Sequence, residues 1–444
     1  MGRCAVSTQK QKRPFALRAL AAFAGTLAIL FVLLLAAYAL PGERVRQHVY
    51  ASARTIQNEG LYPEYLGFKL FQMDNYTDTL MLFEAASADE LPPLQAMMTN
   101  TAYNVDNFET LADDLAWYIE KDWSTGAQRT DAAALEPFSY ARYWHGYLIW
   151  LRPLLLLMPY TGVRIVQYIV LFSLLAVVLV QLRRRCGLRA AVWFAVSQLA
   201  VSVWFVPHQV QYFTCFMIAY AGCAWVLAKP RRSDVLCLGL LVLGTATAFC
   251  DLLVTPIITL GLPLTCWLLE PQQRLRGGVP QCALAVGSSL CWGTGYALCW
   301  AGKWALAGAV TGNNVLADAL HQAEVRTTAD TWHGMELTWR NIFGFLYDTL
   351  NSHHLFWPAL AVLAVLIALF ILSIRSKTAL VRALPLALTT CMTPAWFVLL
   401  RTHSIQHGWF TWRALGLTVF AGLAFLYYAC DLRAARRRLQ KGSI

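Results

Sequence analysis

Apolar residues gather along this chain in ten runs, at about 17–40, 164–182, 190–206, 209–228, 234–250, 252–269, 279–302, 355–374, 380–400 and 409–430. Each approaches the ~20 residues that a helix needs to cross a hydrocarbon core about 30 Å thick. The runs lack the period-two alternation of barrel strands, so the predicted spanning element is the α-helix. The predicted fold is all-α: a polytopic transmembrane bundle of about ten spans with helical loops outside the membrane.

Two polar segments interrupt the runs. The first, 41–163, predicts helices at 43–59, 76–87, 106–121 and 138–158, with breaks at Pro92-Pro93 and 124–134. Within 106–121 the apolar residues Phe108, Leu111, Leu115 and Ile119 recur at helical spacing. The stretch Gly146–Tyr160 is apolar but short, with Arg152 and Pro153 in its middle. It is read as a helix lying in the outer interface, where Tyr143, Trp144, Tyr147 and Trp150 suit the depth. The second polar segment is 303–354. The chain thus divides into 1–40 (N-terminus and first span), 41–163, spans two to seven over 164–302, 303–354, spans eight to ten over 355–430, and a basic tail at 431–444.

Composition agrees with the pattern. Hydrophobic residues make up 58% of the 444 and charged residues 14%, against about a quarter charged in soluble proteins. The net charge of +11 would suit nucleic acid, but its distribution does not. Basic residues cluster beside the apolar runs: Lys10, Lys12 and Arg13; Arg183–Arg185; Lys229, Arg231 and Arg232; Arg274 and Arg276; Arg375 and Lys377; Arg436–Arg438. With the N-terminus inside and strict alternation, every cluster falls on the cytoplasmic side, as the positive-inside rule requires. Of the 25 acids, only Asp234, Glu270 and Asp431 fall there too. The chain is therefore expected to be a multi-pass plasma (inner) membrane protein with both termini cytoplasmic and no nucleic-acid partner. The first run resembles a signal sequence, with Ala37–Ala39 as a cleavage-like site. Its apolar core of about 20 residues exceeds the usual 7–15, so it is read as an uncleaved anchor. The 12 cysteines form no CxxC pair and lie mostly inside apolar runs, as small buried hydrophobes.

Candidate chemistry sits in three outer stretches. In Phe71–Glu84, Asp74 and Asp78 are four apart and share a helix face. A carboxylate there can take a proton from an acceptor hydroxyl. Equally, Asp74 can cap the helix beginning near Tyr76, with Asp78 a first-turn acid suited to the helix dipole. The overlapping Asn75-Tyr76-Thr77 matches an N-glycosylation triplet. In Tyr140–Arg152, Arg142, His145 and Arg152 lie among aromatics and are candidates for phosphate, or else snorkelling residues of an aromatic belt. In Arg401–Arg413, Arg401, His403, His407 and Arg413 stand on the face where basic residues are few. Arg413 is set into an apolar helix, where charge is costly and usually functional. No metal site is read here, since no Glu adjoins the His pair as in HExxH. Walker A, GxSxG and GxGxxG motifs are absent, so a donor substrate would have to arrive in the membrane.

With this topology, the loop at 41–163 and the acids at Asp74–Asp78, the chain resembles the GT-C superfamily of integral-membrane glycosyltransferases. The resemblance implies transfer of a sugar from a polyprenyl-phosphate donor to a glycan, lipid or protein acceptor outside the cytoplasm. It implies an acidic base, Asp74 or Asp78, although Glu43 lies closer behind the first helix, where such acids usually stand. Arg142, Arg152, Arg401 or Arg413, or else a divalent metal, would receive the departing phosphate. The rival readings are a carrier or flippase of lipid-linked substrates, with Pro256, Pro263, Pro385 and Pro394 as helix breaks, and a non-catalytic envelope scaffold.

Overall fold

The computed structural model describes residues 14–104, 136–274, 276, 278–327, 331–332, 335–352 and 354–431. The helix expected at 106–121 and the terminal basic clusters lie outside these residues. The principal helices are α1 (Phe15–Tyr38), α2 (Gly42–Glu59), α3 (Asn75–Ser87), α4 (Pro93–Thr99), α5 (Leu148–Leu155), α6 (Tyr160–Cys186), α7 (Leu188–Ala200) and α8 (Val210–Ala228). They continue as α9 (Ser233–Cys250), α10 (Ile257–Leu268), α11 (Gly278–Thr311), α12 (Val315–Thr327), α13 (Phe356–Ser373), α14 (Lys377–Leu399), α15 (Arg401–Thr411) and α16 (Leu415–Ala429). Two short antiparallel pairings, Thr101–Asn104 with Glu136–Ser139 and Thr331–Trp332 with Met335–Glu336, are the strands among the described residues. The fold is all-α.

Among the described residues, eight helical segments are long and apolar enough to cross a membrane, α15 and α16 counting as one. Their outward faces expose large aliphatics, such as Leu20, Ile29 and Val32 of α1 and Val362, Val365 and Ile371 of α13. In water such faces would be uncompensated, whereas in lipid they are the ordinary surface. The protein is a membrane protein.

The runs expected at 190–206 and 252–269 form shorter helices, α7 and α10. Ser202, at φ 56, and Pro207 break the first, which finishes as a tight turn at Val203–His208. Before α10 the chain is irregular over 251–256, where Asp251 accepts a hydrogen bond from Val254 N at 3.2 Å. All twelve residues of α10 are buried. Non-helical backbone is tolerated at membrane depth where protein rather than lipid surrounds it.

Contacts between distant segments sort into two ends. At one end Arg18 pairs with Asp234 at 2.8 Å and Arg185 with Glu270 at 2.9 Å, while Asp431 N donates to Ser373 O at 2.7 Å. At the other, Arg142 pairs with Asp318 at 3.2 Å, Gly146 N donates to Phe249 O at 2.9 Å, and Lys303 Nζ donates to Asn100 Oδ1 at 2.7 Å. Each contact joins segments that the charge pattern assigns to the same side. The short helices α7 and α10 also run between these two ends of the bundle.

Between 138 and 158 the structure departs from the expected continuous helix. Ser139 ends a strand, His145 turns at φ 55, and only Leu148–Leu155 is helical. Tyr143, Trp144 and Tyr147 do not form an interfacial belt but pack inside the protein. Trp144 stacks on Phe249 at 4.7 Å and donates its indole N–H to Cys299 O at 2.8 Å. α5 does not cross, because it packs against α1 and α2 at the end where α1 terminates. The fully buried Arg152 donates there to Tyr38 O at 3.2 Å and Leu40 O at 3.0 Å. A guanidinium on the last carbonyls of a helix satisfies otherwise orphaned acceptors and suits the helix dipole. Arg152 closes α1 and lines none of the three cavities described below.

Candidate functional site

The chain leaves α2 through Gly60, at φ 84, and winds over 61–74 in two short helical turns, Tyr65–Gly67 and Lys69–Phe71. Buried polar side chains pin both ends of this loop. Arg164 grips Glu59 with both terminal nitrogens, at 2.5 and 2.8 Å, and donates Nε–H to His208 O at 2.9 Å. Asn75 Nδ2 donates to Glu59 Oε2 at 3.1 Å and Gly60 O at 2.7 Å, and Asn75 Oδ1 accepts from Gln209 at 2.7 Å. Asn75 is fully buried. The glycosylation triplet is thus spent on internal bonds, and the modification suggested by sequence has no accessible acceptor nitrogen in the folded chain.

The two aspartates of the motif take different roles. Asp78 is fully buried and accepts Val210 N–H at 3.0 Å, Gln211 N–H at 3.2 Å and the Tyr160 hydroxyl. It therefore caps the N-terminus of α8 from another helix, where a carboxylate satisfies orphaned amides. Burial pushes its carboxyl up to about 8, against the pull of the two amides. Asp78→Ala is expected to strand those donors and cost roughly 2–4 kcal/mol of stability, with Asp78→Asn milder because it keeps one acceptor oxygen. The sign with pH follows. A carboxyl raised in the folded state holds a proton that the unfolded chain releases above about pH 4. Stability therefore falls as pH rises from there towards 8. Denaturation of wild type and Asp78→Asn across that range should show a weaker slope in the variant, and parallel slopes would refute this role.

Asp74 caps its own helix. Its carboxylate accepts Thr77 N–H at 3.0 Å and the Thr77 hydroxyl at 2.7 Å, while its own N–H donates to Gln209 Oε1 at 3.1 Å. Both sequence readings of Asp74 survive, because this capping residue also lines a cavity of about 620 Å³ at the acid-rich end. Tyr62, Glu64, Lys69, Tyr76, His407 and Trp409 contribute to the same wall. Burial raises the Asp74 carboxyl above the ordinary aspartate range, opposed by bonds from Gln211 and Thr77. A carboxylate raised this way is a stronger proton acceptor than a solvated one.

No family model, curated protein or solved structure matches this chain. The functional reading therefore rests on geometry.

All the remaining candidates except Arg401 divide between two places and two structural tasks. His407 joins Asp74, and the neighbouring His403 ring lies 4.8 Å from it. Arg413 is buried behind that wall, its guanidinium 4.5 Å from the Tyr212 ring centre. It donates to Phe410 O and Gln72 O, each at 3.3 Å, and to Leu70 O at 3.5 Å. Among the described residues it has no carboxylate partner, so it ties the 69–72 turn, part of the cavity wall, to the start of α16. Arg142 lines a second, aromatic cavity of about 160 Å³ with Tyr296, Trp300, Trp304, Arg326 and Trp396. The buried Arg142 Nε, Tyr296 hydroxyl and Trp300 indole N–H there have no hydrogen-bond partner. His145 is buried against Glu84 at 2.5 Å, and the Tyr147 hydroxyl donates to the same carboxylate. Arg401 lines neither cavity. Among the described residues no three His, Cys, Asp or Glu side chains converge as a metal-ligand set.

Sequence reasoning missed Glu64 and Lys69, which line the Asp74 cavity, and the Glu84 partner of His145. It also missed Lys303, fully buried with Nζ donating to Met97 O at 2.7 Å and Asn100 Oδ1 at 2.7 Å. A lone lysine at the end of the seventh apolar run was a legible signal, since an ionisable group there needs a partner.

Proposed function

We propose that the protein is an integral-membrane glycosyltransferase of GT-C type, moving a sugar from a polyprenyl-phosphate donor to an acceptor hydroxyl outside the cytoplasm. The observation that carries this reading is the Asp74 carboxylate, raised by burial, on the wall of a roomy cavity at the outer end. Tyr62, Tyr76 and Trp409 offer flat apolar faces to sugar rings, and Glu64, Lys69 and Gln72 offer polar groups to their hydroxyls. In the step itself the acceptor oxygen bonds to the anomeric carbon as the bond from that carbon to the phosphate oxygen breaks. The phosphate leaves with the electron pair, and the acceptor proton ends on Asp74. A phosphate needs no strong acid to depart, only a cation, and Lys69 is the one that lines this cavity. The test is transfer of radiolabelled sugar from a lipid-linked donor by the purified protein, and no transfer across a panel of such donors and acceptors would refute the assignment.

The site can work this way only if the acid-rich end faces away from the cytoplasm. Both termini are then cytoplasmic. A single cysteine at Ser139 in a cysteine-free background should react with an impermeant thiol reagent in intact cells, and one at Ser233 should not. The reverse pattern would invert the topology.

A further inference from the structure

A third cavity, of about 240 Å³, lies at the opposite end of the bundle. Arg274 and Arg276 follow α10, Arg375 precedes α14, and Arg382 is one further turn pair along α14; all four line the cavity. Among the described residues no Asp or Glu lines it. Glu270, the acid next to this segment, is taken by Arg185 at 2.9 Å.

The positive-inside rule alone puts arginines at this end, but they ordinarily splay into water. Here they converge from two separate segments. Arg274 is anchored: it donates to the Tyr428 hydroxyl and lies 5.0 Å from that ring's centre, while its Nε is buried with no hydrogen-bond partner. Arg375 donates Nε–H to Cys430 O at 2.5 Å. The floor is apolar (Leu268, Ala379, Pro385, Leu386), and the buried Gln281 amide, turned onto Gln273 at 3.1 Å, closes the inner side. Four guanidiniums around one cavity concentrate positive charge there, and guanidinium is the side chain best matched to phosphate oxygens. An apolar floor beneath a cationic rim suits a phosphate carried on an acyl-glycerol body better than a free ion.

We propose that this cavity binds the phosphate headgroup of an anionic phospholipid from the adjoining leaflet. The site is separate from the Asp74 cavity and does not depend on the catalytic reading. It pins the entry of α14 to the segment that follows α10, by a lipid used as a structural ligand.

The test uses the full chain purified in a neutral detergent, mixed with phosphatidylglycerol or phosphatidylcholine and examined by native mass spectrometry. Wild type should retain one phosphatidylglycerol at detergent levels that strip phosphatidylcholine. The variant Arg276→Gln/Arg382→Gln changes two exposed side chains and should fold, as its elution and thermal unfolding can verify. It should lose phosphatidylglycerol retention by at least about tenfold, the loss expected when charge-assisted phosphate bonds worth ~1.4 kcal/mol or more are removed. The control Arg183→Gln/Arg184→Gln removes the same charge from the same end, outside the cavity, and should retain the lipid. Equal retention of the two lipids would overturn the proposal, and so would equal loss in both variants. A third arm adds inorganic phosphate alone. Binding of phosphate by wild type but not by Arg276→Gln/Arg382→Gln, without lipid retention, would assign the cavity to a free anion and overturn the lipid.

Discussion

Asp74→Asn should reduce sugar transfer by about 10²–10⁴-fold, the usual loss when a general base is removed, while leaving the protein folded. The substitution isolates chemistry from capping. Asparagine caps helices as well as aspartate does, and its remaining oxygen can keep the 3.0 Å bond from Thr77 N–H. What it cannot do is take the acceptor proton. The pH profile gives a second reading of the same residue. Burial raises the Asp74 carboxyl, and a base works only when deprotonated. The wild-type rate should therefore rise with pH through a value above the ordinary aspartate range, and the variant's residual rate should lack that limb. Asp78→Asn, away from the cavity, should retain most of the turnover. Wild-type rates in both variants would remove these aspartates from the mechanism, whereas an active wild type with an inactive Asp78→Asn alone would move the base one turn along α3.

The bundle was largely legible from the sequence because lipid imposes a simple rule: a spanning helix must be continuously apolar, and loops carry the charge. The apolar pattern located α1, α6, α8, α9 and α11 to within a few residues at most of their ends, except that α11 runs on to Thr311. It overextended α7 and α10, because a buried irregular segment such as 251–256 is as apolar as a helix and only its surroundings permit it. The site was half legible. Asp74 declared itself as a carboxylate opening a helix outside the membrane. Lys69 and Glu64 did not, because a polar loop residue carries no mark of the cavity it lines. The fates of Arg152 and His145 were hidden for a related reason. Their partners, the end of α1 and Glu84, lie 112 and 61 residues earlier in the chain, so burial rather than spacing decided their roles. Arg413 stands out in the sequence as a charge in an apolar helix, but the backbone carbonyls and the aromatic face that meet it are not displayed by a sequence.

Gly244→Ala and Gly295→Ala should each destabilise the bundle by at least about 3 kcal/mol, a large overpacking penalty for a single methyl group. The two glycines hold α9 and α11 together reciprocally. A Cβ on Gly244 would stand 2.1 Å from Trp292 O, and one on Gly295 would stand 2.2 Å from Leu241 O. The obstacles are backbone, so no side chain can swing aside and the helices themselves must part. In lipid this matters more than in water. Apolar surface is no better hidden between helices than against acyl chains, so close backbone approach at small residues supplies much of the attraction. α9 also carries the Arg18–Asp234 pair to α1, so its displacement would loosen the first span as well. Gly287 and Gly293, on the same α11, provide the control. A Cβ at either would meet nothing within 4 Å, and alanine there gains up to about 1 kcal/mol of helix propensity. The same chemical change should therefore have opposite signs on two faces of one helix. Thermal unfolding of the four detergent-extracted variants measures this directly. Loss of stability at Gly287 and Gly293 equal to that at Gly244 and Gly295 would refute the packing argument and leave propensity, or helix flexibility, as the reason for α11's many glycines.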